Sequence, residues 1–219
     1  MQTRLAILAT SLLALAAPAH ANLISNAGFE TFTGTHAGDN CRQLVPASTT
    51  LSDWTPVGNE IAVCTTPNQY LITASEGLNF LDIAGYQNTL GKGVSQTISG
   101  LVIGQQYAFT ADLGVSNIAS CVPGATCGGP ISVLVTIGSV SETLTHNSTD
   151  PGVQWASYGF SFVADSTNVT LSVVGSAIPA GGAFIGLDNL SLLAVPEPAW
   201  MSFVAVALGA LGVGSLRRR

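Results

Sequence analysis

The sequence predicts an all-β protein, an antiparallel sandwich of two sheets, with an apolar segment at each end of the chain. Apolar and polar residues alternate with a period of two through most of the chain, which places successive side chains on opposite faces of a strand. Between the two terminal segments no helical period lasts three turns. Eight or nine short strands separated by turn residues are typical of a two-sheet sandwich.

Nine segments are predicted to be strands, and Gly, Pro, Asn or Asp separates them. The alternation is clearest at residues 107–113, 133–137, 158–162 and 169–173. Further strands are predicted at residues 23–32, 79–83, 93–98, 140–145 and 183–193. Two long stretches, residues 33–51 and 115–130, show no clear period and are predicted to be irregular.

The first 21 residues have the layout of a secretory signal peptide. Arg4 supplies a basic start, residues 5–17 are apolar, and Ala19-His20-Ala21 fits the small-residue pattern before a cleavage point. A retained N-terminal anchor is the alternative, but the apolar stretch is short for crossing a bilayer. We therefore expect an exported chain whose mature form begins at Asn22.

The last 25 residues, 195–219, combine a helix breaker, an apolar run and a cationic end. Pro196, Glu197 and Pro198 precede the apolar residues 199–216, a run near the lower limit of about 17–25 residues for a transmembrane helix. The closing arginines, 217–219, would hold that end on the cytoplasmic side. This arrangement resembles the PEP-CTERM sorting signal of Gram-negative bacteria, which implies processing by a membrane-embedded transpeptidase, exosortase. A plain C-terminal membrane anchor is the alternative.

Residues 22–194 form one predicted domain, which is long enough to bury a core. This body holds eleven acids, since Glu197 is the twelfth, against Arg42 and Lys92, so its net charge is near −9. Nucleic-acid binding requires a basic surface, which this composition excludes. The same charge argues against direct docking on anionic lipid. An acidic body with few charges, rich in Gly, Ser, Thr and Val, favours an extracellular β-protein.

Four cysteines in an exported chain favour disulfides over metal thiolates or a catalytic thiol. Three pairings of the four are possible. We favour Cys41 with Cys64, which ties together the long N-terminal region, and Cys121 with Cys127, which closes a short loop. Their spacing fits no zinc site.

Several segments of the body resemble a galactose-binding-like jelly-roll family, found in plant cell-wall proteins and in bacterial surface proteins of the choice-of-anchor type. The matching segments follow the family's order and are residues 22–30, 54–55, 77–85, 94–98, 104–107, 155, 158–162 and 185–192. The resemblance implies an antiparallel jelly-roll β-sandwich. The chain departs from the pattern at Ala27, where glycine or a second polar residue is usual, and in its cysteine-bearing loops.

Glu30 and Asp188 are predicted to bind a structural calcium ion. They would end the first strand and lie in the last one, and these two strands commonly run side by side in a jelly roll. The two positions resemble the ligands of calcium-bearing carbohydrate-binding modules, and the Gly28 carbonyl could add one of the six to eight oxygens that Ca²⁺ takes. The alternative is that both carboxylates cap strand ends and accept hydrogen bonds from backbone amides.

Exposed aromatic rings and amides are the groups that would bind a sugar, because a flat ring packs on its apolar face. Trp54 and Tyr86 lie beside predicted loops, and Gln87 and Asn88 follow Tyr86. These four residues are our candidates for ligand contact. Tyr70 is also available, whereas three other aromatics follow the strand alternation and are expected in the core: Tyr107, Trp155 and Tyr158.

The sequence carries no familiar catalytic motif. It contains no G-x-S-x-G, no H-E-x-x-H and no phosphate-binding loop. His36 and His146 are expected in loops, and Asp82 either bonds the turn at Gly85 or faces a ligand groove. A glycosidase requires only two facing carboxylates, about 5–9.5 Å apart. We nevertheless expect a non-catalytic protein, because the chain is short for a substrate cleft.

Together these observations predict an exported, exosortase-sorted surface or extracellular-matrix protein. Its single domain would bind extracellular polysaccharide without catalysis, and its C-terminal helix would anchor it in the inner membrane before processing. The association of PEP-CTERM proteins with exopolysaccharide production supports this prediction. The alternative is a structural or adhesive surface protein that binds other proteins. A surface-exposed pair of aromatic residues beside a groove is required by the first function and not by the second.

Overall fold

The computed structural model describes residues 21–117, 129–178 and 184–196. Eleven strands account for the regular structure of these residues: β1 Cys41–Leu44, β2 Thr55–Val57, β3 Ile61–Thr65, β4 Asn79–Asp82, β5 Gly93–Ser99, β6 Gln106–Asn117, β7 Ile131–Ile137, β8 Val140–His146, β9 Gly152–Val163, β10 Asn168–Ala177 and β11 Gly186–Ala194. The predicted all-β class is therefore confirmed for the described part of the chain.

The strands form two antiparallel sheets. One has six strands in the order β1-β3-β4-β11-β6-β9, and the other has five in the order β2-β5-β10-β7-β8. The chain crosses repeatedly between the sheets, so that β11 pairs with both β4 and β6 in the middle of the larger sheet. The predicted sandwich of two antiparallel sheets is confirmed.

The core lies between the sheets and follows directly from the alternation. In β6, Tyr107, Phe109 and Leu113 point inward and are almost fully buried. The neighbouring strand in the same sheet, β9, pairs Phe160 with Phe109 and Phe162 with Tyr107. Burial of each such side chain contributes about 1.5–3 kcal/mol to stability.

A second apolar cluster lies on the other face of the six-stranded sheet. Its buried members are Cys41, Ala62, Cys64, Ile72, Phe80 and Phe184. Ile72 belongs to the connection between β3 and β4, residues 66–78, which we call the strap. The strap lies on this outer face, and its Tyr70 and Ala74 pack against the same cluster. Part of the larger sheet is therefore covered on both faces.

The structure corrects the prediction in the first third of the chain. Residues 23–32 are turns rather than a strand, with Asn26 and Phe29 at φ 47° and 59° and one isolated bridge from Phe32 to Leu51. A left-handed backbone at two such positions breaks the extended conformation that a strand requires. Conversely, β1 lies inside residues 33–51, which were predicted to be irregular.

The Cys41–Cys64 disulfide is present and links β1 to β3, as predicted. Cys121 and Cys127 lie outside the described residues, as do the predicted signal peptide up to residue 20 and the predicted sorting signal from Glu197 onward. No helix in residues 21–117, 129–178 and 184–196 is long and apolar enough to cross a membrane.

Candidate ligand-binding site

A shallow cleft opens at the start of β1, on the outer side of the six-stranded sheet. It has a volume of about 430 Å³ and is lined by Ala37, Gly38, Asp39, Gln43 and Tyr86. The Tyr86 ring is 43% exposed, and the Gln43 side chain is also exposed. We call it the Asp39–Tyr86 cleft.

Two phenols hold the carboxylate at the centre of this cleft. The hydroxyls of Tyr70 and Tyr86 each donate to Asp39 Oδ2 at 2.9 Å. Asp39 Oδ1 accepts from the Cys41 amide at 3.0 Å, so the disulfide-bearing strand fixes the other side of the carboxylate. The sheet, the strap and the turn after β4 therefore converge on one acidic group.

The protonation states in the cleft follow from these bonds. Partial burial acts to raise the pKa of Asp39, but the Cys41 amide and the two phenols outweigh it and hold the pKa below its usual value. Burial and then the bond to Asp39 raise the pKa of both Tyr70 and Tyr86. At neutral pH the cleft thus presents an ionised carboxylate and two protonated phenols.

Glu60 anchors the turn that carries Tyr86. Its carboxylate accepts from the amides of Tyr86 at 3.2 Å and Gln87 at 3.0 Å, and from Lys92 Nζ at 2.6 Å. Burial acts to raise the pKa of Glu60, but these donors lower it overall. Gly85 has φ 61°, and a Cβ there would lie 2.6 Å from both Glu60 oxygens, so this turn requires glycine.

Asp82, the last residue of β4, also holds this turn. Its Oδ1 accepts from the amides of Ala84 at 3.0 Å, Gly85 at 3.3 Å and Ile185 at 3.3 Å. Burial raises the pKa of Asp82 to about 7 despite these bonds. Of the two roles considered for Asp82, the bond to the Gly85 turn is the one observed.

One of the four predicted ligand residues lies at the cleft. Tyr86 lines it, whereas Gln87 and Asn88 are absent from its lining. Trp54 is a correction: its side chain is 3% exposed, its indole nitrogen donates to the Asn26 carbonyl, and its ring packs on Phe29. A ring buried in this way cannot offer its face to a sugar.

Sequence reasoning missed Asp39 and Gln43. Asp39 precedes Cys41 by two residues in a Gly-Asp-Asn turn, a position typical of an acid that bonds the following backbone. That signal predicts the amide bond but not the two phenols, which come from segments 31 and 47 residues away.

Glu30 and Asp188, the predicted calcium ligands, converge on the end of the strap. Glu30 accepts from the amides of Leu78 at 2.7 Å and Asn79 at 2.8 Å. Asp188 is fully buried, and its Oδ2 accepts from the amides of Ser75 at 2.8 Å and Glu76 at 3.0 Å. Both carboxylates thus hold backbone amides, which was the alternative role.

A third acid lies near this pair. A Cβ on Gly28 would lie 2.7 Å from Glu76 Oε2 and 3.9 Å from Asp188 Oδ1, so Glu76 and Asp188 both flank this glycine. Burial, with a smaller effect from the charge of Glu76, raises the pKa of Asp188 to about 7. Among the described residues no group of three or more His, Cys, Asp or Glu is arranged to hold a metal ion. Calcium binding therefore stays a prediction.

A scan of protein-family models found no match to the chain, and a search of curated proteins also found none. Among solved structures, a Stig cyclase from Fischerella sp. TAU is 21% identical, with a TM-score of 0.47, covering 80% of this chain and 97% of that one. The CBM22-1 xylan-binding domain of Paenibacillus barcinonensis Xyn10C is 14% identical, with a TM-score of 0.43, covering 84% and 100%. The family 35 carbohydrate-binding module from Clostridium thermocellum is 11% identical, with a TM-score of 0.43, covering 70% and 99%. At these levels the likenesses carry no argument about ligand or activity.

Proposed function

We propose that the body of this protein binds a polysaccharide, without catalysis, in the Asp39–Tyr86 cleft. One observation carries the proposal: a half-exposed tyrosine ring stands beside an ionised carboxylate that two phenols already hold in place. The ring can pack on the apolar face of a sugar, and Asp39 and Gln43 can bond its hydroxyls. Because these groups are fixed before binding, little conformational entropy is lost when a ligand arrives.

The charge of the site narrows the class of polysaccharide. Asp39 is ionised, Lys92 is buried in its pair with Glu60, and the Arg42 guanidinium donates to the Thr35 carbonyl. No further Lys or Arg occurs in residues 22–194. A polyuronate would be repelled by Asp39, and the described lining of the cleft contains no Lys or Arg, so the cleft favours a neutral glycan.

A glycan array probed with the oxidised full-length chain, in a detergent that is not a glycoside, tests this function. We expect binding to neutral polysaccharides and none to polyuronates. Tyr86→Ala should weaken binding at least tenfold, about 1.4 kcal/mol, because it removes both the ring and one of the donors that position Asp39.

Leu71→Ala is the matched control, since Leu71 is 63% exposed on the strap and outside the cleft lining. Tyr86→Phe separates the stacking contribution from the hydroxyl, because it keeps the ring alone. Binding that is equal in Tyr86→Ala and the parent would contradict this site. A chain that binds no glycan at all would favour the alternative function, adhesion to other proteins.

We further propose that the protein is exported and sorted by an exosortase to the cell surface or the extracellular matrix. The sequence supports this address at both ends, through the signal-peptide layout of residues 1–21 and the Pro196-Glu197-Pro198 motif before the apolar run. A matrix location would bring the domain to the polysaccharide that it binds.

Structural calcium is the remaining proposal for the body. Its support is the position of Glu76 Oε2 and Asp188 Oδ1 beside Gly28, together with the absence of a salt bridge to Glu30, Glu76 or Asp188 among the described residues. Calcium would supply the positive charge there and would favour the ionised form of these carboxyls.

A further inference from the structure

A second polar cleft lies apart from the Asp39–Tyr86 cleft, where the connection between β1 and β2 meets β5. Its volume is about 480 Å³, within the roughly 300–1,000 Å³ of small-molecule sites. The lining is Ser25, Ala47, Ser48, Thr49, Leu51, Ser52, Asp53, Trp54, Thr55, Gln96 and Thr97. We call it the hydroxyl cleft, because six of these residues are serine or threonine. It shares no lining residue with the Asp39–Tyr86 cleft.

Most of these hydroxyls are free for a ligand. In the described part of the chain, five of them make no hydrogen bond to protein: Ser25, Thr49, Ser52, Thr55 and Thr97. Each hydroxyl can donate one bond and accept two. A wall of such groups complements a ligand that itself carries many hydroxyls.

Buried side chains hold the walls of the hydroxyl cleft in place. The Gln96 side chain is 8% exposed and bridges two walls: it accepts from the Ser25 amide at 3.0 Å and donates to the carbonyls of Ser25 at 3.0 Å and Asp53 at 2.9 Å. Trp54 is fixed by its bond to the Asn26 carbonyl. The shape of the cleft therefore does not depend on a ligand.

Two strained backbone positions line the same cleft. Ala47 has φ 62° and Asp53 has φ 66°, although neither is glycine. A left-handed backbone is uncommon for residues other than glycine, and such positions concentrate at functional sites. Strain at two of eleven lining residues is an observation independent of the hydroxyls.

The charge of the lining selects among hydroxylated ligands. Asp53 is its only ionisable side chain, and it is an exposed acid. An anionic sugar would be repelled, whereas a neutral one keeps every hydroxyl contact. No aromatic ring face is exposed in the lining, so hydrogen bonds rather than stacking must supply the affinity.

We infer that the hydroxyl cleft is a second, independent binding site, for one neutral monosaccharide unit of a glycan. A domain with two separate sites can bind two chains or two points on one chain, and this raises its avidity for a polymer.

Fluorine NMR of the full-length chain labelled with 5-fluorotryptophan tests this inference. The chain has three tryptophans, and only Trp54 lines the hydroxyl cleft. The probes are glucose, galactose, mannose and xylose at millimolar concentrations, with glucuronate as the anionic comparison. We expect at least one neutral sugar to shift the Trp54 resonance saturably, and glucuronate to leave it unchanged.

Thr97→Leu fills the cleft and should abolish this shift. Ser99→Leu is the matched control, since both residues are exposed on the same face of β5 and Ser99 is not in the lining. Ser52→Ala, which removes one hydroxyl without adding volume, should weaken the response several-fold and serves if Thr97→Leu does not fold. Tyr86→Ala should leave the Trp54 shift intact, so failure of the Asp39–Tyr86 cleft is distinguishable. No Trp54 shift with any neutral sugar, or an equal shift in Thr97→Leu, would overturn the inference.

Discussion

Lys92 shows how strongly a single residue can support the site without touching it. Its ammonium group is buried and donates to Glu60 at 2.6 Å. The Glu60 carboxylate in turn accepts from the backbone amides of Tyr86 and Gln87. A buried ion pair adds little net stability, but removing one partner leaves an uncompensated charge in the interior. The pair therefore makes the position of Tyr86 depend on a lysine that immediately precedes β5.

Lys92→Met should lower the free energy of unfolding by about 3–5 kcal/mol, because Glu60 keeps its charge without its cation. Denaturant unfolding measures this change, and Arg42→Met is the control because it removes the only other cation of the body. Since the pKa of Glu60 is held below its usual value, its contribution is present above that usual pKa and is lost as pH falls. The deficit of Lys92→Met should thus shrink in acid. Equal losses in both variants would contradict this account.

At the residue scale, the sequence indicates which side chains could contact a ligand better than it indicates whether they face solvent or the core. Tyr86, a tyrosine beside a predicted loop, is exposed and lines the Asp39–Tyr86 cleft. Trp54 also lies beside a predicted loop, but its indole nitrogen donates to the Asn26 carbonyl and its ring enters the core. Whether such a ring faces solvent depends on a turn 28 residues earlier, which local pattern does not reveal.

At the scale of elements, the sequence pattern predicted β4 to β11 and missed β1, β2 and β3. In the long strands one face enters the core, so the period of two is visible. β3 has four consecutive buried residues, since the strap covers its outer face, so its pattern shows no alternation. The prediction of a strand at residues 23–32 is wrong for a different reason. Its apolar residues have the spacing of a strand, but the backbone there forms turns.

The strap should make stability depend on pH. The pKa of Asp188, which holds the strap, is raised to about 7, as is that of Asp82. Such a carboxyl binds more protons in the folded state than in the unfolded state between its usual pKa and about 7, so the free energy of unfolding falls as pH rises through that window. Without calcium, the melting temperature should therefore decrease from about pH 5 to about pH 8, and Asp188→Asn should flatten this slope.

Calcium is expected to reverse the effect, because a cation favours the ionised carboxyls. Added Ca²⁺ should raise the melting temperature more at the alkaline end than at the acid end, and a chelator should remove the difference. Glu30→Gln alters the proposed calcium site and should reduce the effect of Ca²⁺. Glu142→Gln, the same change at an exposed acid on β8, is the matched control. A melting temperature that Ca²⁺ does not change at any pH would contradict calcium binding. Glu30 and Asp188 would then serve only to hold the backbone of the strap.

At the scale of the whole molecule, the charged residues are distributed differently in the body and at the ends of the sequence. The body is acidic and keeps one of its two cations in a buried pair, whereas three of the six basic residues of the chain lie in its last three positions. A cationic end after an apolar run directs orientation in a membrane. The proposed binding function and the proposed address therefore rest on separate stretches of the sequence.

Mass spectrometry of the protein recovered from the surface of an exosortase-bearing host tests the address. The mature chain is expected to begin at Asn22 and to lack the apolar run 199–216. Replacing Glu197 by alanine should leave the tail attached, and Glu142→Ala should not. Recovery of the parent chain with residues 199–219 intact would contradict processing and favour a permanent anchor.

The strap has a consequence for the part of a polymer that the domain can reach. A sheet face that is open along its length lets a long chain lie across it and recognises the repeating interior of that chain. Here Ile72, Phe80 and Phe184 occupy part of that face, and the Asp39–Tyr86 cleft lies at its margin. Short stretches and chain termini fit such a margin better than interior segments. The amount of protein held by a polysaccharide would then follow the number of its ends and branches rather than its mass.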